Sequence, residues 1–243
     1  MRIPHSLVIA FIAGLGVGCA ASEGSTDEVA KPDSIASTSA PPAQPATPAS
    51  AAATGNDSLV AIADRSRILG DTTAPVWVVI ISDFQCPYCK VWHDETFPGL
   101  KREFVDRGRI RLAYVNLPLP QHQHARVTAE MAFCAGLQGR FWEFHDAVFD
   151  TQDQWRGLPA GTTYFDSVAA TAKLDRLRLR ACMDAGLMRG RVEADYQSAV
   201  AAKVRSTPTF FVGQSMRLEG AVPLDAFRDS LNKVIRMEAP GRR

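Results

Sequence analysis

The stretch Val76-Trp77-Val78-Val79-Ile80-Ile81-Ser82-Asp83-Phe84-Gln85-Cys86-Pro87-Tyr88-Cys89 sets the fold. Its first six residues form a continuous apolar, largely β-branched run, which suits a central strand covered on both faces. That strand leads straight into a Cys-x-x-Cys pair, and the pair opens a helix expected over Cys89 to Phe104. A strand that delivers two cysteines to a helix start turns a loose spacing into a redox-motif candidate. Unpaired N–H groups and the positive end of the dipole stabilise an anion there, so the Cys86 thiolate is favoured. Thiol pKa values of roughly 3.5 to 7.5 occur in such settings. Cys86 is therefore expected to be the more exposed, attacking sulfur and Cys89, one turn inward, the resolving one. Pro87 suits a helix start because the N–H it lacks would be unpaired there, and Pro98 is expected to kink the same helix.

Outward from this stretch, Ile110-Arg111-Leu112-Ala113-Tyr114-Val115 reads as a second strand. Thr209 to Val212 and Met216 to Glu219, separated by Gly213, read as a hairpin. Between them, from about His122 to Ala202, Leu137, Phe141, Phe144 and Val148 follow helical spacing, as do Val192, Tyr196 and Ala199. Several amphipathic helices are expected in that interval, and Pro223 to Met237 makes a last one. This order implies an α/β sheet carrying an inserted helical domain. Pro208 stands immediately before a strand, where it removes a ladder donor. A cis Thr207–Pro208 bond is one solution, with trans as the base state.

The chain has 243 residues, 46% hydrophobic and 22% charged, the composition of a globular domain with accessory segments. Lys and Arg total 27 against 26 Asp and Glu, so no net field draws it to nucleic acid, which is excluded as a partner. Met1-Arg2-Ile3-Pro4-His5-Ser6, the apolar run Leu7 to Val17 and Gly18-Cys19-Ala20-Ala21 have the layout of a signal peptide over 1–19. The run is about half of the ~20 apolar residues a spanning helix needs, so export is expected. Gly16-Val17-Gly18-Cys19 resembles the lipobox of bacterial lipoproteins, with Cys19 the lipidated residue, although Gly16 stands where that motif usually has Leu; cleavage near Ala20 is the alternative. Residues 20–56 are mostly Ala, Ser, Thr and Pro, a composition that cannot bury enough surface to offset ordering entropy, and are expected to form a disordered linker. The folded domain is expected over 57–243, with its helical insertion at about 122–202.

The same cysteines admit a rival reading, because Cys86, Cys89 and His93 have the spacing of soft-metal ligands. A structural zinc site normally takes four protein ligands, and no second local pair is present, so no metal and no cofactor is expected. His93 reads as a surface helix residue, His122-Gln123-His124 as a solvated loop, and His145 as a packed helix histidine.

Gly70-Asp71, Ala74-Pro75, Ser82-Asp83-Phe84-Gln85-Cys86-Pro87-Tyr88-Cys89, Gln138-Gly139-Arg140-Phe141-Trp142-Glu143-Phe144-His145-Asp146 and Thr207-Pro208-Thr209-Phe210-Phe211-Val212 occur in that order. Together, over Ile68 to Leu231, the chain resembles the DsbA-like family of exported thioredoxin-fold oxidoreductases. The resemblance implies a thioredoxin fold interrupted by a helical domain. It matches Cys86 and Cys89 to the redox pair, Pro87 and Tyr88 to the dipeptide that tunes it, and Pro208 to the cis-proline facing the pair. It also implies that the Thr207 backbone pairs with an extended substrate segment. Tyr88 departs from the histidine of strongly oxidising members, which leaves oxidant strength open. Asp83 is either a proton relay or a strand-end cap. Cys134 and Cys182 either form a second disulfide, as in some relatives, or stay separate as buried thiols.

The expected function is a donor of disulfides to exported proteins, since a helix start stabilises the reduced Cys86 thiolate, recharged by a membrane redox partner in the periplasm or cell envelope, with the anchor at Cys19 expected from the lipobox match. The alternatives are a disulfide reductase or isomerase, or a tethered module that holds metal on its cysteines.

Overall fold

The computed structural model describes residues 48–238; the segment read as signal peptide, Cys19 and most of the linker lie outside them. Five strands form one sheet: β1 (Ile68–Leu69), β2 (Val76–Ser82), β3 (Ile110–Asn116), β4 (Thr209–Val212) and β5 (Met216–Glu219), in the order β1-β3-β2-β4-β5. β2 is central and pairs parallel with β3, Val76 opposite Ile110 through Ser82 opposite Asn116. On its other side it pairs antiparallel with β4, Val78 opposite Val212 and Ile81 opposite Thr209. β1 joins β3, and β5 joins β4, both antiparallel. The two residues of β1 are too few to carry a periodic signal.

The helices are α1 (Pro48–Ser66), α2 (Pro87–Glu95), α3 (Phe97–Leu100), α4 (Ala125–Gly136), α5 (Phe141–Asp150), α6 (Gln152–Trp155), α7 (Phe165–Thr171), α8 (Arg176–Asp184), α9 (Arg189–Ala201) and α10 (Leu224–Glu238). Helices α4 to α9 all fall between β3 and β4, which makes them the insertion into a thioredoxin fold. α1 begins at Pro48, inside the stretch read as linker: its alanines are the strongest helix formers, and proline is tolerated in a first turn. α2 starts at Pro87 rather than Cys89 and stops at Thr96. Pro98 lacks the N–H that would bond the Asp94 carbonyl, so the expected single helix breaks into α2, α3 and a π turn over Lys101–Val105.

On one face of the sheet Val76, Val78, Ile80, Phe210 and Val212 pack with Trp92, Phe97 and Leu100 from α2 and α3 and with Phe227, Leu231 and Val234 from α10. The insertion has its own core of Phe133, Phe141, Phe144, Phe149 and Trp155, which reaches Phe84, Tyr114 and both Cys86 and Cys89. Cys86 and Cys89 therefore belong to the insertion's core although the sheet delivers them. Within the insertion Asp175 caps α8 by accepting from Leu177 N and Arg178 N. Cys134 on α4 and Cys182 on α8 are joined as a disulfide, with Cα atoms 5.9 Å apart.

A buried ionic knot fastens the insertion to the sheet. Asp195 on α9, with its side chain 2% exposed, pairs with Arg67 at 2.9 Å and Arg191 at 2.9 Å. It also accepts from Asn116 N and Nδ2 at the end of β3, and Asp64 takes a second contact from each arginine. Removing one member of such a network leaves its partners buried without compensation, which costs about 3–5 kcal/mol. Asp195→Ala should lower unfolding stability by that amount in a urea titration; a variant as stable as the parent would contradict this role.

Candidate active site

The turn after β2 is built around one carboxylate. Asp83 is fully covered; its Oδ1 accepts from Gln85 N at 2.8 Å, and its Oδ2 accepts from Leu119 N at 2.8 Å and pairs with His122 Nδ1 at 2.8 Å. Its backbone carbonyl accepts from Cys86 N at 3.1 Å. The turn so formed hands the chain to α2 with Cys86 in extended conformation (φ −70°, ψ 124°) at the N-cap. The Cys86 carbonyl then receives the first helical bonds, from Cys89 N and Lys90 N. The insertion braces the same turn: Gln152 Nε2 donates to Phe84 O and Cys86 O, Gln85 Nε2 donates to Arg156 O, and His124 N donates to Gln85 Oε1.

These contacts correct three readings of histidines. His122 is held by Asp83, His124 is 1% exposed and bonds the Leu158 carbonyl, and His93 is buried rather than on the surface. Each of these covered histidines has a hydrogen-bond partner, as buried polar groups need. Gln152 carried no sequence signal, and Gln85 only as part of the motif before Cys86; their bracing contacts appear once the fold sets the insertion against the turn. His145 is buried among aromatic rings, as a packed helix histidine would be.

Cys86 is 4% exposed and Cys89 1%, so the expected contrast in exposure is slight; Tyr88 between them is 65% exposed and marks the surface above the pair. The loop before β4 covers Cys86: the Thr207–Pro208 peptide bond is cis, and the Thr207 carbonyl oxygen lies 3.4 Å from Cys86 Sγ. Among the described residues, the groups able to ligate a metal are His93 with His145 and Asp146, and His93 with Asp94 and Asp150; neither contains a cysteine. The ligand set Cys86, Cys89 and His93 is not assembled.

The two sulfurs are driven apart in acidity. The Cys89 thiol, donating to Cys86 Sγ, is the largest influence holding the Cys86 thiol down, from 9.0 to about 6; burial opposes it, and the Thr207 side chain and the N–H groups of Cys89 and Tyr88 add to it. Burial, followed by the hydrogen bond to Cys86 and its charge, pushes Cys89 well above the ordinary thiol range. At neutral pH Cys86 is mostly thiolate and Cys89 is a thiol. This fits Cys86 to attack or leave as an anion and Cys89 to keep the proton. Because the folded value of Cys86 is depressed, its thiolate stabilises the reduced fold fully above about pH 9, and that contribution disappears as pH falls through about 6. Thiolate absorbance of the reduced protein should rise with a midpoint near pH 6 and vanish in Cys86→Ser; a midpoint near 9 would contradict the assignment.

A sequence model of the thioredoxin family matches residues 63–233. The chain is similar to disulfide bond formation protein D of Bacillus subtilis, 26% identical over 70% of this chain and 77% of that one. It is also similar to the solved structure of DsbA2 from Pseudomonas aeruginosa, with TM-score 0.56, 30% identity and coverage of 70% of this chain and 93% of that one. A Na(+)/H(+) antiporter NhaA 3 of Salinispora tropica is 37% identical over 61% of this chain, which spans only 22% of that relative's length. No helix among the described residues is long and apolar enough to cross a membrane, and the antiporter name is not carried over. With the family match running from α1 to α10 and a five-stranded sheet that presents Cys86-Pro87-Tyr88-Cys89 at a helix start, the chain belongs to the thioredoxin family as a DsbA-like member.

Proposed function

We propose that this protein is an exported thiol-disulfide oxidoreductase that donates the Cys86–Cys89 disulfide to protein substrates. The observation that carries the reading is the split between the two sulfurs at the start of α2, one held down at about 6 and the other pushed up. A substrate thiolate attacks Cys86 Sγ of the oxidised pair; the Cys86–Cys89 bond breaks, and its electron pair leaves on Cys89, which takes a proton. The resulting mixed disulfide joins Cys86 to the substrate. A second substrate thiolate attacks the substrate sulfur, and Cys86 departs as thiolate. The substrate has then lost two electrons and the pair has gained them. A thiol of low pKa is the better leaving group in the last step, and stabilising the reduced form makes the pair oxidising.

The remaining residues take supporting roles in this reading. The backbone of Thr207, beside cis-Pro208 and within reach of Cys86, aligns an extended substrate segment by strand addition. Pro87 and Tyr88 tune the pair from within the turn, and the Cys134–Cys182 disulfide supports the insertion. Reloading requires a membrane redox partner that accepts two electrons. Export and anchoring through Cys19 rest on the sequence layout at 1–19, and the Ala, Ser, Thr and Pro stretch beyond it would serve as tether.

Removing the resolving sulfur should trap the intermediate. With Cys89→Ser, a thiol-containing unfolded protein in a disulfide-donating buffer should accumulate as a mixed disulfide on Cys86, visible as a reducible adduct in gel electrophoresis. Cys86→Ser should form no adduct and leave no exchange above the uncatalysed rate; exchange that survives in Cys86→Ser would overturn the mechanism.

A further inference from the structure

Below the cysteine pair, where α2 crosses α5, His93, His145 and Asp146 converge in a group the thiol chemistry does not use. One ligand atom from each lies within 4.8 Å of the others. His93 Nδ1 is fixed by Asp94 Oδ1 at 2.9 Å, and the other oxygen of Asp94 is held by Lys90 Nζ at 2.9 Å. That leaves His93 Nε2 as the free nitrogen, and it faces Asp146 Oδ1 at 3.4 Å. This is longer than an ordinary N–H···O bond of about 2.7–3.2 Å. It equals the separation, ~3.3–3.4 Å, of two ligand atoms each ~2.0–2.1 Å from a tetrahedral zinc ion. On the other side of the same oxygen stands His145 Nδ1 at 2.8 Å, which needs to withdraw by only ~0.5 Å to become a ligand at that geometry.

We propose that His93, His145 and Asp146 form a site for a divalent transition metal, zinc in the first instance, with water in the fourth position. A carboxylate that fixes one nitrogen of an imidazole while the other meets the metal is the usual outer support of such sites, and Asp94 supplies it. The rings are already held in place: His93 stacks on Phe149 at 5.1 Å and on Phe97 at 5.9 Å, and His145 meets Trp142 at 4.9 Å. Asp146 and Asp94, with side chains 50% and 42% exposed, open the site to solvent and give an ion its path in. The donor set of two imidazoles and a carboxylate suits zinc and its neighbours better than calcium or magnesium, which favour oxygen ligands. A bound ion would clamp α2, which carries Cys86 and Cys89, to α5 of the insertion. His93 lies four residues beyond Cys89 on the same helix face, so the ion's charge would sit one turn from the resolving sulfur.

The test uses the full chain without a polyhistidine tag and with Cys86→Ser and Cys89→Ser, so that no redox thiol can serve as ligand. Titration with Zn²⁺ by calorimetry should give one ion per chain, and Co²⁺ should give visible bands of a tetrahedral site without thiolate charge-transfer absorption. Asp146→Asn, at a half-exposed position, and Asp94→Asn should each weaken binding ~10–100-fold, with circular dichroism unchanged. Absence of stoichiometric binding would overturn the proposal, leaving His93 as a hydrogen-bond partner of Asp94 and Asp146. So would binding of equal strength in the parent and in both asparagine variants, which would mean adventitious surface acids.

Discussion

The antiparallel register between β2 and β4 is the constraint on which the site depends. Ile81 opposite Thr209 places the Thr207–Pro208 loop over the exit of β2, where Cys86 begins α2. A slip of one residue would turn every side chain of β4 to the opposite face and carry Thr207 away from the sulfur. Phe210 prevents the slip. Its ring packs on Trp92 of α2 at 4.9 Å and on Phe227 of α10 at 5.0 Å, so the contact that seats β4 also seats the helix bearing the cysteines. Core packing, rather than local turn preference, therefore sets the distance between Cys86 Sγ and the Thr207 carbonyl.

Within that frame one contact divides the chemistry. The Cys89 thiol donates to Cys86, which lowers the pKa of the acceptor and raises that of the donor. A helix start alone favours an anion at its first position, but it does not explain why the second cysteine keeps its proton; burial does. The insertion supplies much of that burial and also braces the turn through Gln152, Gln85 and the loop bearing His122. Asp83, with three donors directed at its oxygens, serves as the cap and hub of the turn. The helical insertion is thus part of the active site's wall and not only a lid over it.

Much of this was legible in the chain. β2 is readable from its unbroken β-branched run, although Trp77 and Val79 on its second face are only half-buried, and the β4–β5 hairpin because Gly213 separates an apolar stretch from an alternating one. Cys86 and Cys89 are readable from their position between a strand and a helix, and Pro208 from its place immediately before a strand, although only the family resemblance set it facing the pair. What escaped depends on long-range pairing. Nothing local to Arg67 announces Asp195, 128 residues away, and nothing in Cys-Lys-Val-Trp-His foretells that His93 is buried against α5. Composition also misled at the N-terminal boundary, where an alanine-rich stretch that reads as linker enters α1, since the same residues that lack a core are strong helix formers.

The central claim is that the site stabilises the reduced pair and so drives disulfides into substrates. The most direct measurement is the reduction potential of Cys86 and Cys89, from equilibration of the protein with glutathione buffers and counting of trapped thiols. The account predicts a value closer to about −120 mV, the range of a strong disulfide donor, and a value near about −270 mV, that of a reductant, would contradict it.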